Sequence, residues 1–362
     1  MGNGGIRMSN FDDMALAVAS YGANNRVIFD DLGMPSIMVG VPKMTYGDII
    51  TDGGSSVLPW WKMNGEEKEV IWVSKFINTV VNGRAYSLAM KDPHCYVNFD
   101  SALQYCRAKG NGWHLLQNGV FAALVLWAEK NGTIPRGNTN WDKSYEKSWE
   151  RGVNTYKDPA YEDERGGRTA TGSGPVTWNH DHSPAGICDL CGDTWEWVSG
   201  ARLNDGEFNI IPDGDAMKND CSMAAGSTEW KAIMPDGSLV APGTSGTLKI
   251  DGTSATGTPR INTTREVITT DDSNSYFRNQ YFKNVVAKEG VDIPNIMIAA
   301  GLAPAEGMTS PGMYYARNNG ERLPLRGSSF NNTSHGGAAA LYLNRPRSFS
   351  LYNISFRSAF VE

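Results

Sequence analysis

The stretch Gly186-Ile187-Cys188-Asp189-Leu190-Cys191-Gly192-Asp193-Thr194-Trp195-Glu196-Trp197-Val198 decides how this chain is read. Trp195 and Trp197 alternate, so on a strand both rings point to one face. Such a pair builds either a core or a platform on which a sugar could stack, and each ring removes a large apolar area from water when buried. Cys188 and Cys191 have the spacing of a redox or zinc pair. Zinc would need two more ligands; His180 and His182 are near in sequence, and no second C-x-x-C exists. A disulfide between neighbouring turns is limited by Cβ geometry. The plainer alternative is that both cysteines are small residues filling slots of the Gly186–Gly192 turn. Asp181, Asp189, Asp193 and Glu196 offer the several oxygens that calcium takes. Equally, Asp189 and Glu196 could satisfy backbone N–H groups in turns.

A second informative stretch ends the chain, from Leu323 to Glu362. One class of position there has the look of framework: Arg326-Gly327, Gly337, Leu341, Leu343, Arg347-Ser348 and Asn353-Ile354-x-Phe356-Arg357-Ser358-Ala359. Between them stand chemically arbitrary residues: Ser329, Asn331, His335, Ala339, Tyr342, Asn344, Arg345, Phe349, Leu351 and Tyr352. Tyr, Phe, His, Asn, Ser and Arg are the currency of adaptable recognition surfaces, giving large contacts from few rotors and flexible hydrogen bonding. An apolar residue at an exchangeable position is a contact candidate, because a core site would suffer cavity or clash costs on exchange. Tyr342, Phe349 and Tyr352 are therefore expected at the surface. Arg326, Arg347 and Arg357 are expected to brace loops with their planar forks.

These two stretches carry a resemblance. The first is similar to the signature G-L-x-D-M-x-G-N-V-W-E-W-V, matching at Gly186, Asp189, Gly192, Trp195, Glu196 and Trp197, and departing at Asp193 and Thr194. With the second it resembles the variable proteins of diversity-generating retroelements. Those carry a C-type lectin-like domain of the formylglycine-generating-enzyme (sulfatase-modifying factor) type. Their C-terminal codons are rewritten at template adenines, so that Asn becomes Tyr, Ser, His, Phe, Leu, Arg or Ala. Further matches are Ile71-Trp-Val-Ser-Lys-Phe-x-Asn78, Asn98 to Ala102, and Gly112-Trp-His-Leu-Leu116 with the segment after it. The resemblance covers roughly residues 34–200 and 320–360. It implies an α+β, loop-rich fold with short antiparallel strands and two main helices. It also implies a hypervariable ligand-binding segment at 325–358, comprising the ten arbitrary residues above.

Composition narrows the function classes. The chain has 362 residues, 40% hydrophobic and 20% charged, an ordinary globular balance. Forty glycines and eleven tryptophans fit a loop-rich fold anchored by aromatic side chains. The net charge is −6 with no Lys/Arg stripe, which disfavours a nucleic-acid partner. Five cysteines are an odd number and argue against a complete disulfide framework. The first residues lack an apolar signal core, so no secretory targeting is expected. No run of about 18 apolar residues exists, so no membrane insertion is expected.

Along the chain, residues 9–21 read as a short amphipathic helix capped by Ser9 or Asn10, with Met14, Ala17, Val18 and Tyr21 on its apolar side. Val27–Phe29 and Ser36–Val41 are strand-like. Residues 1–45 are too short for a core of their own; they either pack on the lectin-like domain or serve attachment or oligomerisation, the latter favoured. Residues 46–362 form the lectin-like domain. Helices are expected over 98–108 and 118–130, with Asp100 and Asn118 as N-caps. A Gly/Asn/Trp/Tyr-rich loop follows at 131–180. An insertion covers about 200–320: a β-hairpin elaboration at 236–270, a helix over 273–288 with Tyr276, Phe277, Tyr281, Phe282 and Val285 on one face, and a buried run from Ile293 to Leu302.

The leading expectation is a non-enzymatic binding protein needing no cofactor, with a structural calcium ion the one metal its carboxylates suggest. The resemblance implies a cell-surface protein or glycan receptor as partner, a homo-oligomer (a trimer), and a place on a phage tail or a cell surface. Two alternatives stand beside it. One is an oxidoreductase of the sulfatase-modifying type. Its cysteine pair falls near the end of the domain, whereas residues 320–362 here contain no cysteine. The other is a structural virion protein of fixed specificity.

Overall fold

A computed structural model describes residues 10–159 and 165–362. In chain order its main elements are helix α1 (Asn10–Ala19) and strands β1 (Asn25–Phe29), β2 (Pro35–Pro42) and β3 (Val70–Ser74). Helix α2 (Phe99–Arg107), strand β4 (Trp113–Leu115) and helix α3 (Asn118–Lys130) follow. After a long loop come β5 (Trp195–Trp197), β6 (Ala201–Asn204), β7 (Glu207–Ile210), β8 (Lys231–Ile233) and β9 (Leu239–Val240). Then come β10 (Lys249–Gly252), β11 (Pro259–Asn262), the short helix α4 (Asn295–Ala299) and β12 (Tyr314–Ala316). The last strands are β13 (Glu321–Arg326), β14 (Leu341–Arg345), β15 (Ile354–Phe356) and β16 (Ser358–Phe360). This is the expected α+β, loop-rich architecture with two main helices and short, mostly antiparallel strands.

One sheet has the order β1-β2-β3-β16-β4, every pair antiparallel. The chain's last strand thus lies between β3 and β4, and the C-terminal segment is tied to the first third of the sequence. The other sheet runs β9-β8-β7-β6-β13-β14-β12, with β5 joining it through β13 and pairing parallel with β15. Pro324 has no N–H to give a ladder; it lies at the register shift between Leu323 and Leu325, where the strand needs none.

α2 starts at Asn98, whose Oδ1 accepts from Ser101 N at 2.9 Å. It buries Phe99, Ala102 and Cys106, one stripe at helical spacing. α3 buries almost every residue from Asn118 to Ala128, as a helix apolar all round must. The caps differ from expectation. Asn98, not Asp100, takes the extended cap conformation, and Asp100 sits one turn in, paired with Arg347. Gln117 precedes α3, and the Asn118 amide instead donates to Ala300 O and accepts from Arg326.

Three other expectations change. Residues 273–288 do not form a helix. Phe277 bridges to Ala316 and Tyr281 to Met313, and only Phe282–Asn284 makes a 3-10 turn. Apolar side chains four apart here reach a neighbouring strand, a spacing that periodicity cannot separate from a helix. Residues 25–42, favoured for attachment, are two strands of the first sheet, β2 pairing with β3. In α1 Val18 is buried, but Ala17 and Tyr21 of the expected apolar side are exposed; Ser9 lies outside the described residues. The 236–270 region contains the expected hairpin, β10–β11, and begins with β9, which pairs back with β8 just before it. The 293–302 run buries Met297, Ala299, Ala300 and Leu302.

Candidate ligand-binding face

The Gly186–Val198 stretch is core framework. Trp195 and Trp197 are both buried, Trp197 edge-on to Phe99 and donating to Val97 O at 3.0 Å. Gly192 has φ +77°, and a Cβ there would lie 2.3 Å from Asn138 O, so only glycine closes this turn. Glu196 is spent on Arg357: the fully buried guanidinium bonds both carboxylate oxygens at 2.7 Å. Arg357 also donates to Ser74 O, Cys188 O and Asp189 O, stapling three segments together.

The other carboxylates also have local duties. Asp181 accepts from Ser183 N and Oγ. Asp189 accepts from Gly172 N, and burial pushes its carboxyl up to about 6. Asp193 Oδ1 accepts from Thr169 N, Thr169 Oγ1 and Asn138 Nδ2, while burial, reinforced by Asp189, pushes it up to about 7. Among the described residues no three His, Cys, Asp or Glu side chains gather where a metal could sit. Cys188 and Cys191 are buried free thiols, and burial pushes each up to about 12. His180 Nδ1 accepts from Ile187 N, and His182 Nε2 faces Ile134 O. Burial keeps both thiols protonated, the less nucleophilic form.

In the C-terminal segment most framework positions are buried, whereas seven of the ten arbitrary positions are not. Arg326 is buried, bonding Asn118 Oδ1, Ala300 O and Gly301 O. Arg347 bonds Glu321, Asp100 and Met223 O. Leu341, Leu343, Ile354 and Phe356 are fully or almost fully buried. Gly327 has φ +83°, and a Cβ there would lie 2.7 Å from Leu190 O. Between these anchors, Asn331, Tyr342, Arg345, Phe349, Leu351 and Tyr352 are half-buried and His335 is exposed.

The half-buried residues fall in two clusters, one of Tyr342, Arg345 and Phe349 and one of Tyr352 and Asn331, while Leu351 packs against the core. Tyr342 packs on Trp195 at 5.3 Å and edge-on to Tyr315 at 5.2 Å. Arg345 lies over Phe349 at 4.0 Å and over Tyr342 at 5.3 Å. Tyr352 packs against Phe330 at 6.0 Å and stacks on Tyr156 at 6.1 Å, and its hydroxyl accepts from Asn331 Nδ2. The three aromatic residues expected at the surface are thus partly covered, Tyr342 and Tyr352 by neighbouring rings and Phe349 by the Arg345 guanidinium.

Three of the ten positions are not on this surface. Ser329 is buried, its hydroxyl donating to Asn331 Oδ1 and Asn332 Oδ1. Ala339 lies in the main core, and its backbone N–H is spent on Pro311 O. Asn344 is buried on β14, its amide donating to the Tyr342 hydroxyl. They hold their neighbours in place and offer nothing to a partner directly. His335 stands apart, in the loop that borders an open cleft of about 570 Å³ lined by Arg136, Glu146, His182, Tyr281, Lys283 and Ser334.

Sequence reasoning did not find the residues outside the C-terminal segment that complete the face. Tyr96 is 65% exposed and donates its backbone N–H to Leu351 O. Tyr156 carries the Arg168 guanidinium 3.9 Å over its ring. Tyr276 and Tyr315 extend the aromatic run. None has a local pattern; the only signal was the Tyr/Trp content of the loops.

No family model and no curated protein matches the chain. Among solved structures it is similar to PvdO from Pseudomonas aeruginosa, at 11% identity, 93% of this chain and 98% of that one, with a TM-score of 0.37. It is similar to Treponema denticola variable protein 1, at 9% identity, 93% and 99% coverage and a TM-score of 0.33. It is also similar to the Major Tropism Determinant P3c variant, at 11% identity, 93% and 71% coverage and a TM-score of 0.31. Likenesses this loose carry no weight for activity; function has to be read from the residues of the face.

Proposed function

We propose that this protein is a non-enzymatic, hypervariable ligand-binding protein whose C-terminal residues are diversified on a constant scaffold. One observation carries the reading. Within residues 326–357 most framework positions are buried, Arg326 and Arg357 in hydrogen-bond networks, whereas Asn331, Tyr342, Arg345, Phe349, Leu351 and Tyr352 stay partly exposed. Scaffold and contact residues then answer to different constraints. Exchange at the face changes affinity at little folding cost, since surface substitutions typically shift stability by under ~0.5 kcal/mol. The absence of cysteine from 320–362 speaks against the oxidoreductase alternative.

By the same reading the partner is a macromolecule at a cell surface, and the protein works on a phage tail or a cell surface as a homo-oligomer, a trimer. Repeated weak contacts would there add through effective concentration. The genomic locus downstream of this reading frame, sequenced in several isolates, tests the proposal. A near-copy of codons 325–358 differing only opposite adenines, beside a reverse-transcriptase frame, is the expected result. A constant C-terminus with no such repeat sinks it.

A further inference from the structure

The face has a chemical bias that narrows its partner. Arg345 is its cation. Among the described residues its guanidinium packs over Phe349 and Tyr342 instead of on a carboxylate, and its Nε is buried without a hydrogen-bond partner. Nearby, Arg317 and Arg322 share Asp271 at 4.0 and 2.7 Å. Burial depresses Arg317, and Arg322 and then Arg345 add to the effect. Two aromatic rings hold the fork in orientation, so little side-chain entropy remains to be lost when a planar acceptor arrives. A carboxylate is the acceptor that matches a guanidinium edge with two parallel bonds.

The rings around it suit protein better than sugar. A sugar stacks on an open aromatic face. Here Tyr156 is covered by Tyr352 on stacking and by Arg168 over the ring, Tyr342 by Trp195 and Tyr315, and Phe349 by Arg345. Each of these rings is packed against at least one neighbouring ring or guanidinium. Such Tyr/Arg clusters, fixed by their neighbours, are the anchors that concentrate binding energy in protein–protein contacts. Tyr96, the most exposed ring at this rim, reaches the face from the first third of the chain and lies outside the diversified segment.

Resting on the reading of this surface as the binding face, we infer that the partner is a protein segment presenting an Asp or Glu carboxylate to Arg345, with Tyr96 as a fixed contact at the rim. Arg345 sets specificity for this copy of the segment, and Tyr96 contributes whatever residues the segment carries.

The test is selection of a random dodecapeptide display library on the full-length protein, in parallel with a glycan array. The proposal expects peptides enriched in Asp or Glu beside apolar residues. Arg345→Gln should weaken the selected peptides at least tenfold, Arg345→Lys should restore part of that loss, and Tyr96→Ala should weaken them severalfold without changing the acid preference. Thermal melts of each variant within a degree or two of wild type would show that the fold is kept. A Tyr352→Ser variant, which leaves Arg345 in place, should weaken the same peptides. Peptides without acid enrichment, or an enrichment indifferent to Arg345→Gln, overturn the inference. Glycan binding lost in Tyr352→Ser would also overturn it while leaving the binding function standing. Peptide binding unaffected by every substitution on this face would remove both.

Discussion

Asp193 allows a quantitative test of how the scaffold is held. Its carboxyl is fully buried; Oδ1 accepts three bonds, at 2.7, 3.0 and 3.1 Å, while Oδ2 has no partner. The amide that bonds it, Asn138, likewise leaves its own Oδ1 without a donor. Two buried acceptors lacking a donor, on a pair already joined by one bond, are the situation a neutral carboxylic acid relieves. Burial, with Asp189 nearby, pushes Asp193 from 3.8 up to about 7. A folded-state value above the unfolded one means that the native protein holds this proton more tightly than the unfolded chain. The stability it contributes is complete below pH 4 and is lost as pH rises through 7. At about 1.4 kcal/mol per pH unit, a rise of that size gives an upper figure of about 4 kcal/mol across that window.

Asp193→Asn removes the titration, keeps an oxygen for the three donors and supplies an N–H where Oδ2 has none. Asp189, itself raised to about 6, titrates in both proteins and largely cancels in the difference. The variant should therefore equal wild type near pH 4.5 and exceed it by roughly 2–4 kcal/mol at pH 8. Denaturant unfolding of both proteins at half-unit steps from pH 4.5 to 8 measures this. A stability difference flat across the range, or one that favours wild type at high pH, refutes the buried-acid account. The outcome bears on the binding face, because Asp193 O accepts from Phe330 N and Thr169 adjoins Arg168, so this hub supports both Tyr352 and Tyr156.

Breaking the Arg357–Glu196 pair with Glu196→Gln should cost roughly 3–5 kcal/mol, because it leaves a buried guanidinium without its counter-charge, and a chemical melt will read it. At the segment's exchangeable positions, Tyr352→Ser should shift stability by under about 1 kcal/mol, whereas Ala339→Tyr should cost at least roughly 1–3 kcal/mol by overfilling the core. Lys109 is fully buried, its ammonium 3.1 Å from the centre of the Trp113 ring and bonded to Ser36 Oγ, and burial holds it well below its ordinary value. Its folded-state value is depressed, so it costs stability as pH falls; Lys109→Met should gain stability on wild type progressively toward acid, which a pH series of thermal melts would reveal.

What sequence alone determined is what local pattern can carry. Trp195 and Trp197 alternate on one strand face, and two helices declare themselves by spacing and polar starts, though the caps were misplaced by one or two residues. The division of residues 326–357 into Arg, Gly and aliphatic anchors with changeable side chains between them was legible in part: Arg326, Leu341, Ile354 and Arg357 are buried anchors, and seven of the ten side chains between them are not buried. The tertiary structure decided the rest, because it depends on which distant segments meet. Ser329, Ala339 and Asn344 look as exchangeable as Tyr352 until β14 and the Pro311 loop close over them. Phe277 and Tyr281 mimic a helix face until they bridge to the β12 region. The hairpin at 25–42 seems detachable until it pairs with β3. Tyr96 and Tyr156 reach the binding face only because β15 and β16 carry the end of the chain back among its earlier segments, a long-range register that no window of neighbouring residues contains.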